Sequence, residues 1–262
     1  MRWLRDGLLH APAYLWSGWG AIASLLLFLA AWEWASVYYG SLVLPDPRAT
    51  LARLSELLAE GAAWTELAVT AHRALVGFAL AVVAGSLLGM LTGRSMTASM
   101  MSRPIITVLI GTPPIAWLVL ALLWFGAGDG TPIFTVFVAA FPIVFIGAMQ
   151  GARTLDGQLH DMAVSFRLPW RLRFSSIYLP QLLAFLFPAW ITALGVSWKV
   201  VVMAELLASD DGVGAMLAVT RSHLDTAATL AWVCAIVGIL LLVEYLLLEP
   251  IRRELESWRV AS

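Results

Sequence analysis

The sequence predicts an all-α fold, a polytopic membrane protein with six transmembrane helices, and three observations carry that expectation. Hydrophobic residues fill 61% of the 262 positions and charged residues only 13%, for a mean hydropathy of +0.85, well outside the usual soluble range. The charges are clustered, and they leave six uncharged stretches close to or above the ~20 residues a helix needs to cross a bilayer. These stretches are continuous and rich in Leu, Ala and Val, whereas a membrane β-barrel would alternate polar and apolar positions over ~10-residue strands. The 16 Lys+Arg nearly balance the 17 Asp+Glu, so there is no basic field for nucleic acid. The single cysteine, Cys234, excludes a disulfide framework or a multi-cysteine metal site.

The first stretch, Gly7 to Trp32, places a span at about Trp16 to Tyr39. Arg2 and Arg5 precede it as they would in a signal peptide, but the apolar run is too long and lacks a small-residue cleavage site. Residues 1–42 are therefore expected to form an N-terminal cytoplasmic segment and a retained first helix. Leu44-Pro45-Asp46-Pro47 reads as a turn. Across 43–68, Leu51, Leu54, Leu57 and Leu58 recur at helical spacing with Glu56 and Glu60 between them, which predicts an amphipathic helix on the outer face.

Residues 69–250 form the expected membrane core. Its first stretch, Ala74 to Gly93, carries Gly77, Ala81, Gly85, Gly89 and Gly93 four residues apart, a small-residue stripe against which another helix can pack closely, within the chain or from a second subunit. Three more stretches follow at Pro104 to Gly128, Gly130 to Ala152 and Phe174 to Trp198. Each contains proline, at Pro113-Pro114, Pro142 and Pro188, which removes a helical hydrogen bond and predicts a kink. Thr226 to Val243 is the last, and 251–262 is a polar C-terminal tail.

Basic residues separate by side. Arg2, Arg5, Arg94, Arg103, Arg153, Arg167, Arg171, Arg173, Arg252, Arg253 and Arg259 fall on one side of the six-span arrangement, and Arg48, Arg53, Arg73 and Arg221 on the other. By the positive-inside rule both termini are cytoplasmic. The longest cytoplasmic connection, 153–173, repeats Leu155, Leu159, Met162, Ala163 and Phe166 at helical spacing before Leu168-Pro169. A short helix outside the bilayer is expected, presenting Leu168 and Trp170 among Arg167, Arg171 and Arg173. On the residues alone it is either a docking element for a cytoplasmic partner or an interfacial helix held by anionic headgroups.

Four ionisable residues lie in or at the ends of spans: Glu33, Lys199, Glu205 and Glu244. A charge at the bilayer centre costs about 2.5–3.5 kcal/mol. Glu33 and Glu244 are near enough to span ends to reach water. Lys199, the only lysine in the chain, either snorkels outward or lines a pathway. Glu205 lies six residues further on, about 9 Å of rise and off the same face.

No Gly-rich loop ending in Gly-Lys-Ser/Thr is present, so the chain is expected not to hydrolyse ATP. The four histidines, His10, His72, His160 and His223, are read in separate connections or ends and form no His-Glu-x-x-His zinc helix. The spans offer no facing carboxylates or Ser/His pair for hydrolysis. The expectation is a non-enzyme.

The 161–180 segment resembles the EAA loop of type I ABC-importer permeases, which reads Glu-Ala-Ala, three residues, Gly, nine residues, then Ile-x-Leu-Pro. Asp161-Met162-Ala163 takes the place of the triplet, Arg167 that of the glycine, and Ile177-Tyr178-Leu179-Pro180 closes the pattern. Arg167 departs most, because glycine accepts a left-handed backbone that arginine resists. Thr112-Pro113-Pro114-Ile115-Ala116-Trp117 with Leu123-Trp124-Phe125-Gly126, and Ala204-Glu205-Leu206-Leu207-Ala208-Ser209 with Gly212-Val213-Gly214, are similar to the nitrate, sulfonate and taurine branch. The likeness covers roughly residues 43 to 258.

What the resemblance implies is an inner-membrane permease subunit that pairs with a second permease copy, as a homodimer, and docks two cytoplasmic ABC ATPases. ATP and magnesium would then bind in those partner subunits, with no cofactor in this one. The ATPases would be met by Asp161, Met162, Ala163, Arg167, Leu168 and Trp170. The solute, a small anion such as a sulfonate, taurine or nitrate, would come from an external substrate-binding protein and pass Pro113, Pro114, Trp117 and Glu205, with Glu205 at an outer gate or, equally, capping the Ser209-Asp210-Asp211-Gly212 turn; Lys199 joins this pathway on its charge and placement alone. The competing expectation is a secondary carrier or membrane scaffold without an ATPase, although carriers usually show internal repeats and none is evident here.

Overall fold

The computed structural model describes residues 2–155 and 157–243; Glu244, Arg252, Arg253, Arg259 and the tail at 251–262 lie outside the described residues. Among the described residues there are helices and no strands: α1 (Arg2–Tyr39), α2 (Pro47–Ala59), α3 (Ala62–Gly93), α4 (Met96–Gly111), α5 (Pro114–Phe125), α6 (Gly130–Arg153), α7 (Gly157–Ser165), α8 (Trp170–Arg173), a π-turn over Phe174–Tyr178, α9 (Leu179–Ala208), α10 (Val213–Ser222) and α11 (Thr226–Val243). Four stretches are long and apolar enough to cross a membrane: Ile22–Tyr39 in α1, Ala63–Gly93, Gly130–Arg153 and Trp170–Ala208. Bent as one span, α4 and α5 make a fifth. Helix α11 is apolar and, at 18 residues, near the lower limit for crossing.

The Pro104 to Gly128 stretch is broken rather than kinked. Helices α4 and α5 meet at 92°, because Thr112 and Pro113, each preceding a proline, take extended conformations (ψ 122° and 139°). Pro114 then opens α5 at a position that needs no N–H. By contrast Pro142 and Pro188 lie inside α6 and α9, which continue through them.

Three helices form the core. The small-residue stripe of α3 packs within the chain against α6. A Cβ on Gly77 would meet the Val136 side chain at 2.7 Å, one on Gly85 the Val144 Cβ at 2.9 Å, one on Gly89 the Phe145 carbonyl at 2.5 Å and one on Gly93 the Met149 carbonyl at 2.6 Å. The two helices therefore run parallel, with backbones close enough that only glycine fits at these four positions, while Ala81 between them packs on Ala140 and Val144. Helix α9 crosses the other side of α6 in the opposite direction, where Gly147 meets Ala189 and Gly151 meets Phe185. Trp190 of α9 reaches across to donate to Ser86 Oγ at 3.2 Å.

Asp46 caps α2 by accepting from the Ala49 N–H, with Pro47 at its first position. That helix stops at Ala59, and a left-handed Gly61 (φ +77°) turns the chain into α3, so residues 62–68 belong to the first core helix. Leu57 of α2 packs with Leu67, Val213, Ala231 and Trp232, joining α2, α10 and α11 into a second apolar cluster. Helices α1, α4 and α5 turn large side chains outward, Leu27, Val37 and Leu123 being 71%, 80% and 79% exposed. Apolar surface on that scale needs lipid or another subunit against it.

Candidate functional site

One end of the core holds a buried ionic cluster. Arg73, in α3, is 1% exposed. Its Nε donates to Asp129 Oδ1 at 2.7 Å, its Nη1 to Glu205 Oε1 at 3.1 Å and to the Asp211 carbonyl at 2.9 Å, and its Nη2 to Asp211 Oδ1. Glu205, on α9, is fully buried and also accepts from Thr70 Oγ1 at 2.8 Å and from the Gly214 N–H at 3.1 Å. Glu66 accepts from the Gly212 N–H, and Thr70 Oγ1 from the Val213 N–H. The 209–214 turn is thus lashed to α3 by three side chains. It needs its glycines: Gly212 has φ +91° and a Cβ there would meet the Glu205 carboxyl at 2.5 Å, while one on Gly214 would strike the Val202 carbonyl.

This corrects two sequence readings. Arg73 was assigned to an outer connection, and it lies inside α3 instead; His72 beside it is likewise helical. The missed signal was legible, because Arg73 precedes Gly77 by four residues and so continues the buried register of the glycine stripe, with Thr70 and Glu66 above it. Glu205 faces inward to Arg73 and holds the 209–214 turn. Among the described residues, no three His, Cys, Asp or Glu side chains gather as metal ligands.

Lys199 points elsewhere. It is exposed, on the face of α9 that carries exposed Pro188 and Thr192. On that same face a Cβ on Gly195 would meet nothing within 4 Å. Among the described residues Lys199 has no carboxylate within ion-pair distance. The structure therefore separates Lys199 and Glu205 onto different faces of one helix. Pro113 and Pro114 form the α4–α5 break, and Trp117, half-buried a turn later, keeps a buried Nε1–H without a partner among the described residues.

At the opposite end of the core α3 and α6 finish together, and Arg153 donates to Ser99 Oγ at 3.1 Å. Here α7 stands as a short helix with Asp161 and Met162 exposed and Ala163 buried. It closes in a Schellman cap: the Leu168 N–H donates to the Ala163 carbonyl at 3.0 Å, the Arg167 N–H to the Val164 carbonyl at 2.9 Å, and Arg167 is left-handed at φ +49°. A glycine conformation is thus imposed on an arginine. Leu168 is half-buried, and Trp170 is 61% exposed while its ring packs on Phe174 and Tyr178 at 6.1 and 5.8 Å, with the Arg173 guanidinium over it at 5.8 Å.

Helices of membrane length packed closely through glycine define a polytopic membrane protein. The chain belongs to the family of binding-protein-dependent transport system inner membrane components, whose profile matches residues 81–250. It is 30% identical over 259 residues to the aliphatic sulfonates transport permease SsuC of Bacillus subtilis, covering 98% of this chain and 88% of that protein. To the taurine transport system permease TauC of Escherichia coli it is 28% identical, over 91% and 89% of the two chains. To a nitrate import permease, NrtB of Leptolyngbya laminosa, it is 30% identical over 59% and 55%. The fold is also that of a crystal structure of an amino acid ABC transporter with histidines, at a TM-score of 0.60 and 17% identity over 76% of this chain and 97% of that one. ATP hydrolysis in such systems belongs to a separate subunit, and family membership sets aside the secondary carrier and the scaffold.

Proposed function

We propose that two copies of this chain form the membrane pathway of an ATP-driven importer for a small anion, of the sulfonate or nitrate kind that relatives are named for. The observation that carries the anion reading is the exposed Lys199, without an ion-pair partner among the described residues, on the Pro188–Thr192–Gly195 face of α9. A lone ammonium on a membrane helix is costly unless water or a counter-charge compensates it, and a solvated pathway between two copies supplies both. Two such groups, one from each copy, would attract an anion.

In this reading six spans are made by α1, α3, the bent α4–α5 pair, α6, α9 and α11, with both termini cytoplasmic. The Arg73 cluster then lies at the outer end, where the external binding protein delivers solute. Exposed Asp161 and Met162 on α7, with Leu168, Trp170 and the cap at Arg167, dock the ATPases, and α7 transmits their closure to a rigid α3–α6–α9 core. Copurification tests the docking: wild type should bring down its ATPase, and Asp161→Lys should lose it while still inserting in the membrane. Full retention of the ATPase by Asp161→Lys would remove α7 from the docking interface.

A further inference from the structure

Beside the docking helix there is a cavity of about 510 Å³ that the transport role leaves unused. It is lined by Met90 and Arg94 of α3 and its cap, Gly157 of α7, Trp170 of α8, Tyr178 of the π-turn and Leu182 of α9, among others. Volumes of this order, roughly 300–1,000 Å³, hold ligands of drug size. Its walls come from the ends of membrane-length helices, and Asp161 and Met162 do not line it. The lining is amphipathic in a directed way. Met90, Leu182 and the aromatic wall of Trp170 are apolar, and exposed Arg94 sits among them as the charged member.

We infer that this cavity binds an anionic phospholipid, its phosphate on Arg94 and part of an acyl chain against Met90, Trp170 and Leu182. Charge and depth select the occupant. Arg173 lies over the ring of Trp170, which lines the cavity, and Arg153 ends α6 at the same end of the core, so further cations stand near Arg94, and tryptophan and tyrosine are the residues that favour headgroup depth. Trp170 belongs both to this cavity and to the docking segment, so a bound lipid would brace the ATPase-facing segment from behind. The inference rests on the proposed orientation for its leaflet, but lipid retention is measured without transport or ATPase.

The test is native mass spectrometry of the purified full chain, offered phosphatidylglycerol and phosphatidylcholine in equal amounts. One cation near a headgroup contributes ~1 kcal/mol, a preference of about five-fold. Wild type should retain phosphatidylglycerol by at least that factor, and Arg94→Gln should bring the two lipids level. Gly157→Phe keeps the cation but fills the cavity; a Cβ at Gly157 meets nothing within 4 Å, so the helix should tolerate it. It should lose both lipids, with unchanged helicity by circular dichroism. Equal retention of the two lipids by wild type, or unaltered phosphatidylglycerol binding in Gly157→Phe, would overturn the inference. So would dissociation of a wild-type dimer into monomers in Gly157→Phe with lipid retention unchanged, which would give the cavity to the second copy.

Discussion

Arg73 on α3 and Glu205 on α9 face each other at 3.1 Å, 132 positions apart in the chain and neither more than 1% exposed. The pair locks two core helices at one end, and Asp129 and Asp211 bring the α5–α6 junction and the 209–214 turn into the same arginine. Removing one member of a buried, hydrogen-bonded pair leaves the other charge uncompensated, at about 3–5 kcal/mol. Arg73→Met should therefore destabilise the protein in detergent by that order. Glu205→Gln should cost less, since an amide still bonds to Thr70 and Asp129 and Asp211 still balance Arg73. Thermal melts followed by size-exclusion fluorescence rank the two; the reverse order would show that the arginine is not the keystone.

Glycine in the α3 stripe is a packing requirement. Gly89→Ala would place a methyl 2.5 Å from the Phe145 carbonyl, and overpacking of this kind costs about 1–3 kcal/mol. Gly111→Ala, with nothing within 4 Å, should be neutral or slightly stabilising because alanine favours the helix. Equal melting temperatures for the two variants would contradict the parallel α3–α6 contact.

Arg167 is held left-handed, a conformation that costs an L-residue about 1–2 kcal/mol. Arg167→Gly should therefore raise stability slightly and increase protection of the Leu168 amide of the cap in hydrogen exchange, whereas Arg167→Pro, which cannot adopt φ +49° and lacks the N–H that bonds the Val164 carbonyl, should abolish that protection. If glycine lowers protection, the arginine side chain itself maintains the cap.

The orientation proposed from the basic asymmetry can be tested by labelling. With Cys234 replaced, a cysteine at Ser95 should react with a membrane-impermeant thiol reagent only in inverted vesicles, and one at Ser55 or Ser222 only in intact cells. Labelling of Ser95→Cys from outside would invert the orientation proposed above.

Much of this was legible in sequence because composition and spacing act locally. The all-α class followed from uncharged runs, the close helix contact from glycines four residues apart, and α7 from the Leu155 to Phe166 periodicity. Gly130 to Ala152 was predicted almost to the residue, since Asp129 and Arg153 bound it chemically. What failed was the charge count: it places Arg73 in a connection although the glycine register runs on through it, because a count cannot see the three carboxylates that make its burial tolerable. The same limit hid the 92° break at Pro113-Pro114, where the sequence signals a perturbation but tertiary packing sets its angle. Arg167 is instructive in the other direction. The glycine-like position was identified from spacing, and the backbone is indeed left-handed there, yet nothing in the side chain announces it.

The most direct test of the central claim is uptake of a labelled small anion into proteoliposomes that hold the permease with its ATPase, supplied with the binding protein and ATP. The probe is whichever of taurine, an alkanesulfonate or nitrate that binding protein retains. Wild type should accumulate it only with ATP, Lys199→Met should lose most uptake at matched ATPase content, and Lys199→Arg should keep part of it because the charge survives in a different geometry. Uptake by Lys199→Met equal to wild type would contradict the anion pathway along α9, and uptake without ATP would contradict the importer itself.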